Sequence, residues 1–151
     1  MPIAAHVCLW TDVHAPWSNL TFRDRSKAVT ASNLCFKVAM LFLLVGMLWG
    51  LQMALADNHS AYPAHAHLTL LGFVALFLFG IFYRLNPKVE ANRLAIPQVW
   101  IWIVSTIVMS IGIGLIRTGH KIGYPLAGVG SFVVFADAVL FTWLVFRDGG
   151  R

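Results

Sequence analysis

Four apolar stretches, each long enough to cross about 30 Å of hydrocarbon at 1.5 Å per residue, dominate this 151-residue chain. They run over about residues 36–56, 67–85, 99–116 and 126–146. In lipid no water satisfies a bare N–H or C=O, so such stretches fold as helices. The sequence therefore predicts an all-α, polytopic membrane protein: a four-transmembrane-helix bundle over residues 35–151, preceded by an arm over residues 1–34. Composition agrees, with 59% hydrophobic and 11% charged residues. A soluble domain carries about half and about a quarter. A soluble enzyme, a disordered tail and a secreted disulfide scaffold are excluded on that ground. Cys8 and Cys35 form no CxxC pair, which leaves no support for a disulfide framework or a zinc ribbon.

The basic residues give an orientation. The net charge is +5, yet the lysines and arginines flank the apolar stretches, which fits topology and not nucleic acid. Arg23, Arg25, Lys27, Lys37, Arg84, Lys88, Arg93, Arg147 and Arg151 fall on one side, and Arg117 and Lys121 on the other. Cytoplasmic loops carry the excess of positive charge, so both termini are predicted to be cytoplasmic. The loops at about 57–66 and 117–125 then face outward. The arm lacks a basic start and a continuous apolar core, unlike a signal peptide. Its His6, Cys8, Trp10, His14 and Trp17 suit a metal-binding arm, an interfacial segment or a docking surface for another subunit.

Four of the six histidines gather on the outer side: His59 in the first loop, His65 and His67 at the start of the second span, and His120 in the third loop. Imidazole is the commonest metal ligand and a frequent haem ligand. Residues two apart on a helix point about 200° from each other, so a helix containing both His65 and His67 turns only one of them inward. If the helix begins at His67, His65 can fold back and share a metal with His59, His67 and Asp57, an arrangement open to copper or zinc. The plainer reading is that these histidines cap helices at a wet interface.

Asp137 interrupts the apolar run FVVFADAVLF. A carboxylate at that depth costs about 2.5–3.5 kcal/mol on insertion scales and must face the bundle. It is read either as a proton-relay or ligand-binding group, or as a hydrogen-bonded or protonated strut. Ser105, Thr106 and Ser110 are the donors expected to meet it. Gly46 and Gly50 form a GxxxG pair for close helix packing. Ser110 with Gly114 and Ala127 with Ser131 form similar small-residue pairs. Met47, Met53 and Met109 are thioethers inside spans, able to fill gaps or to ligate haem or copper.

VAMLFLLVGMLWGLQMAL (38–55) is followed by a short outer loop and then by HAHLTLLGFVALFLFGIFYRLNP (65–87). This third of the chain resembles the first two transmembrane helices of the haem–copper oxidase catalytic subunit, most closely the nitric oxide reductase branch. It is also similar to small stand-alone subunit-I-like membrane proteins. The resemblance implies a place in the bacterial inner (cytoplasmic) membrane. It also implies an axial haem b ligand at His65, with His67 one step off in register. The second low-spin ligand and the binuclear-centre histidines of that family have no counterpart here, so a complete oxygen- or nitric-oxide-reducing enzyme is not expected. A second axial ligand would come from His120, His59, Met53 or another copy of the chain. Trp49, Phe73, Phe77 and Phe132 are available to wall a macrocycle.

No G-x-x-x-x-G-K-[ST], G-x-G-x-x-G, H-E-x-x-H or C-x-x-C-H motif is present, so NTP, dinucleotide, zinc-protease and covalent-haem chemistry find no support. Two readings follow. One is a haem b (or copper) protein for electron transfer, gas sensing or accessory service in a respiratory complex. The other is a cofactor-free structural or assembly subunit of a larger membrane complex. Both place the chain in lipid, as a homo-oligomer or as a subunit of a larger assembly. A transporter or channel built on Asp137 lacks the inverted repeat such proteins use.

Overall fold

A computed structural model describes residues 30–148. The arm with His6, Cys8 and His14, and the last three residues, lie outside the described residues. The described chain is all helical: α1 (Ala31–Leu55), α2 (Tyr62–His67), a π-helical segment (Leu68–Ala75), α3 (Leu76–Leu85), α4 (Pro87–Glu90), α5 (Ala95–Arg117) and α6 (Gly123–Asp148). The pieces α2, π and α3 form one continuous second span, Tyr62–Leu85. Four helices are thus long and apolar enough to cross a membrane.

Three spans start a few residues earlier than hydropathy suggests, and proline explains the difference. Pro63, Pro97 and Pro125 lie inside the first turns of α2, α5 and α6. The first four N–H groups of a helix have no intrahelical acceptor, so a missing N–H there costs nothing. The first span also starts early, at Ala31, because its end is capped twice. Thr30 Oγ1 accepts from the Asn33 N–H, and Glu90 of α4 reaches across to accept from the Ser32 N–H (3.0 Å) and hydroxyl (2.6 Å). A carboxylate at a helix N-terminus also meets the positive end of the helix dipole.

Between lipid-embedded helices no hydrophobic drive remains, so association rests on close packing and hydrogen bonds. Small residues set both main contacts. Along α1 and the second span, which run antiparallel, Gly50 faces His65, Gly46 faces Thr69, the Phe42 ring lies on Gly72, and Cys35 and Phe36 lie on Gly80. Along α5 and α6, also antiparallel, Gly112 meets the backbone of Ala127, Gly130 meets the backbone of Met109, and Gly123 meets Ile116. The α5–α6 row is therefore not quite the predicted one. Gly114 has only Ala64 nearby and Ser131 is exposed, whereas Gly112, Gly123 and Gly130 make the close approaches. An aromatic cluster joins the two halves: Phe79 stacks on Phe141 with centroids 3.9 Å apart and meets Trp102 edge-on at 4.7 Å.

Candidate functional site

Both His65 and His67 lie on α2, so the helix includes the HxH pair and divides it. His65 is half-buried. The Cε1–Nε2 edge of its ring lies over Gly50, 3.3 and 3.6 Å from where a Cβ would stand, and Trp49 meets it edge-on at 6.4 Å. Its Nδ1 is buried and has no hydrogen-bond partner. His67 is exposed, and its Nδ1 donates to the Pro63 carbonyl at 2.7 Å. The Thr69 hydroxyl donates to the His65 carbonyl at 3.0 Å, where the helix widens into the π segment. Such widened turns often mark functional positions.

His65 closes one wall of an apolar groove of about 500 Å³ along the C-terminal half of α1. Gly46 and Gly50 form its floor, with Leu43, Met47, Leu51 and Ala54 along α1 and Thr69 beside His65. Phe73, Phe77 and Phe132 do not line it. Cofactor sites are concave, mostly apolar and of about 300–1,000 Å³, with a few placed polar groups. The groove has that character: one imidazole, one thioether (Met47) and one hydroxyl (Thr69) on otherwise apolar walls. Met53, by contrast, is buried within the bundle.

The other histidines at this end of the bundle stand apart from this groove. His59 and His120 are exposed. Asp57 holds a left-handed turn after α1 (φ 45°), a conformation Asp tolerates and a reason for its presence without any ligand. Arg117 Nε donates to the Ser60 carbonyl at 2.9 Å, tying the two outer loops together. Among the described residues no three His, Cys, Asp or Glu side chains converge, so the cluster of His59, His65, His67 and Asp57 does not form.

A second polar feature lies toward the opposite end. The Tyr83 hydroxyl donates to Gln98 Oε1 at 2.8 Å, and Gln98 Nε2 donates to Asp137 Oδ2 at 2.7 Å. All three side chains are buried. One hydrogen-bonded line thus joins the second span, α5 and α6. Asp137 faces the bundle, but its donor is Gln98 and not Ser105, Thr106 or Ser110. Ser105 donates to its own helix, to the carbonyls of Ile101 (2.6 Å) and Trp102 (3.1 Å), while the Thr106 and Ser110 hydroxyls have no partner. The register explains this. With Gly130 against Met109 and Ala127 against Gly112, Asp137 falls level with Trp102, one turn from Gln98. A span begun at Val99 leaves Gln98 outside the membrane and out of consideration. The available signal was a long amide directly after Pro97, at a position that continues the buried face of α5.

Comparison with known protein families, curated proteins and solved structures finds no match to this chain.

Proposed function

We propose that this multi-pass membrane protein binds haem b in the α1–α2 groove, with His65 as an axial ligand. It would serve electron transfer or gas sensing, or act as an accessory subunit of a respiratory complex. The observation that carries this reading is His65 itself, a half-buried imidazole in an apolar groove with a buried ring nitrogen that no protein group engages. A metal in the groove would be held through Nε2, the ring nitrogen on the groove-lining edge. Gly50 lets the His65 ring lie close against the α1 backbone, where any side chain would push it aside. When bound, haem supplies one-electron chemistry at its iron. The protein's part is to orient His65 through the Trp49 and Gly50 contacts and to exclude water with the α1 side chains.

Two groups are suited to the opposite face. Met47 lines the same groove, and the exposed α1 surface lets a second copy bring its own His65 across a two-fold axis. On the charge pattern, the groove lies at the outer face of a cytoplasmic membrane, with both termini inside.

The test is an optical spectrum of the full-length protein purified after haem-supplemented expression, oxidised and then reduced. A Soret band with sharp reduced α and β bands is expected. His65→Ala should abolish the pigment while insertion persists, and His67→Ala should leave it. Colourless protein in every case would reject the haem reading in favour of the cofactor-free subunit.

A further inference from the structure

Every fourth residue of α5 from Trp102 forms one stripe: Trp102, Thr106, Ser110, Gly114. Its two ends are anchored on the second span. The Trp102 indole donates to the Leu71 carbonyl at 3.0 Å, and a Cβ on Gly114 would stand 3.9 Å from that of Ala64. Thr106 and Ser110, lying between these anchors on the same stripe, therefore face the second span. Their hydroxyls have no partner, and the residues are 0% and 2% exposed. At the lower end of this stripe, Asp137 is 3% exposed and uses only one carboxylate oxygen. Oδ2 accepts from Gln98, whereas Oδ1 is buried and unpartnered.

Helix geometry sets the residues that carry these three atoms at successive levels. Cα–Cβ bonds lean toward the helix N-terminus. The helices α5 and α6 are antiparallel, so Thr106 leans toward the level of Trp102 and Asp137 leans toward the level of Thr106. Successive levels are one turn apart, about 6 Å at 1.5 Å per residue. Two waters in series, joined and anchored by hydrogen bonds of about 2.8 Å, span that gap. Buried waters typically occupy such sites, making about three hydrogen bonds to groups that are otherwise unsatisfied.

We propose that the seam between α5, α6 and the second span holds a file of buried water molecules. One pair bridges Asp137 Oδ1 to Thr106 Oγ1, and the next pair bridges Thr106 Oγ1 to Ser110 Oγ. The file continues the Tyr83–Gln98–Asp137 line toward the outer face and makes Asp137 a hydrated carboxyl group deep in the membrane. It depends on no cofactor.

Hydroxyl-radical footprinting tests this. Full-length protein in phospholipid nanodiscs receives a brief X-ray pulse that splits water in place, and oxidation is read residue by residue by mass spectrometry. Met109 and Trp102 adjoin the file and are only 3% and 4% exposed. They should oxidise several-fold faster than Met40, which faces lipid. The double variant Thr106→Val/Ser110→Ala should bring them down to the level of Met40. Thr106→Ser, which keeps the hydroxyl, should not. Wild-type Met109 and Trp102 as inert as Met40 would overturn the proposal without recourse to any variant. So would unchanged oxidation in a double variant that keeps its helical circular dichroism.

Discussion

Gln98 holds the buried polar line together because an amide both accepts and donates. Replacing it with leucine keeps the bulk but leaves the Tyr83 hydroxyl without its acceptor and Asp137 without its donor. Each buried polar group left unsatisfied costs about 1–3 kcal/mol. Hydrogen bonds between membrane helices average about 0.6 kcal/mol and reach about 1.7, because the unfolded state in the membrane finds partners too. Gln98→Leu is therefore expected to destabilise the bundle by roughly 1–3 kcal/mol. Tyr83→Phe removes a single bond and should cost about 1 kcal/mol or less. Asp137→Asn keeps an oxygen to accept from Gln98 and should sit near wild type. Unfolding titrations in mixed micelles would rank the three, and Asp137→Asn falling below Gln98→Leu would refute the strut part of the assignment. At this scale the sequence was informative where spacing alone decides. Two histidines two apart on a helix must diverge, and they do. Spacing was silent on which one turns inward, because that depends on Gly50 of another helix; only the resemblance singled out His65.

Gly112 and Gly128 make the corresponding contrast between elements. A Cβ on Gly112 would run into the Ala127 backbone, which has no rotamer to yield, whereas a Cβ on Gly128 meets nothing within 4 Å. Forcing an extra methyl into a tight contact typically costs 1–3 kcal/mol or so. Alanine at an open helical position gains up to about 1 kcal/mol over glycine. Gly112→Ala should lower, and Gly128→Ala hold or raise, the midpoint of thermal unfolding in the same detergent. Equal effects would mean that α5 and α6 do not pack in this register. The four spans were legible because hydropathy acts locally, but their starts were not, because a proline in a first turn looks the same in sequence as one just before a helix. The α5–α6 pairing was not, since Gly112, Ser110, Gly114 and Ala127 are all small and only the register distinguishes them. The π segment Leu68–Ala75 was hidden for a related reason. LTLLGFVA is equally apolar whether its backbone bonds run to the fourth or the fifth residue.

Charge decides orientation for the molecule as a whole. Within the described residues, Lys37, Arg84, Lys88, Arg93 and Arg147 lie toward one end of the bundle, and Arg117 and Lys121 toward the other. Arg147 sits 4.3 Å above the Trp143 ring, the kind of pairing that seats a helix end at the headgroup level. In the orientation proposed above, with the positive end cytoplasmic, the His65 groove would lie near the outer face. A single cysteine at Asn58, in a background with Cys8 and Cys35 replaced, should react with a membrane-impermeant thiol reagent added to whole cells. A cysteine at Asn92 should react only after the membrane is breached. The reverse pattern would turn the bundle over and put the groove on the cytoplasmic side. The residues that form the groove would be unchanged, but any electron it exchanged would have to come from the cell interior.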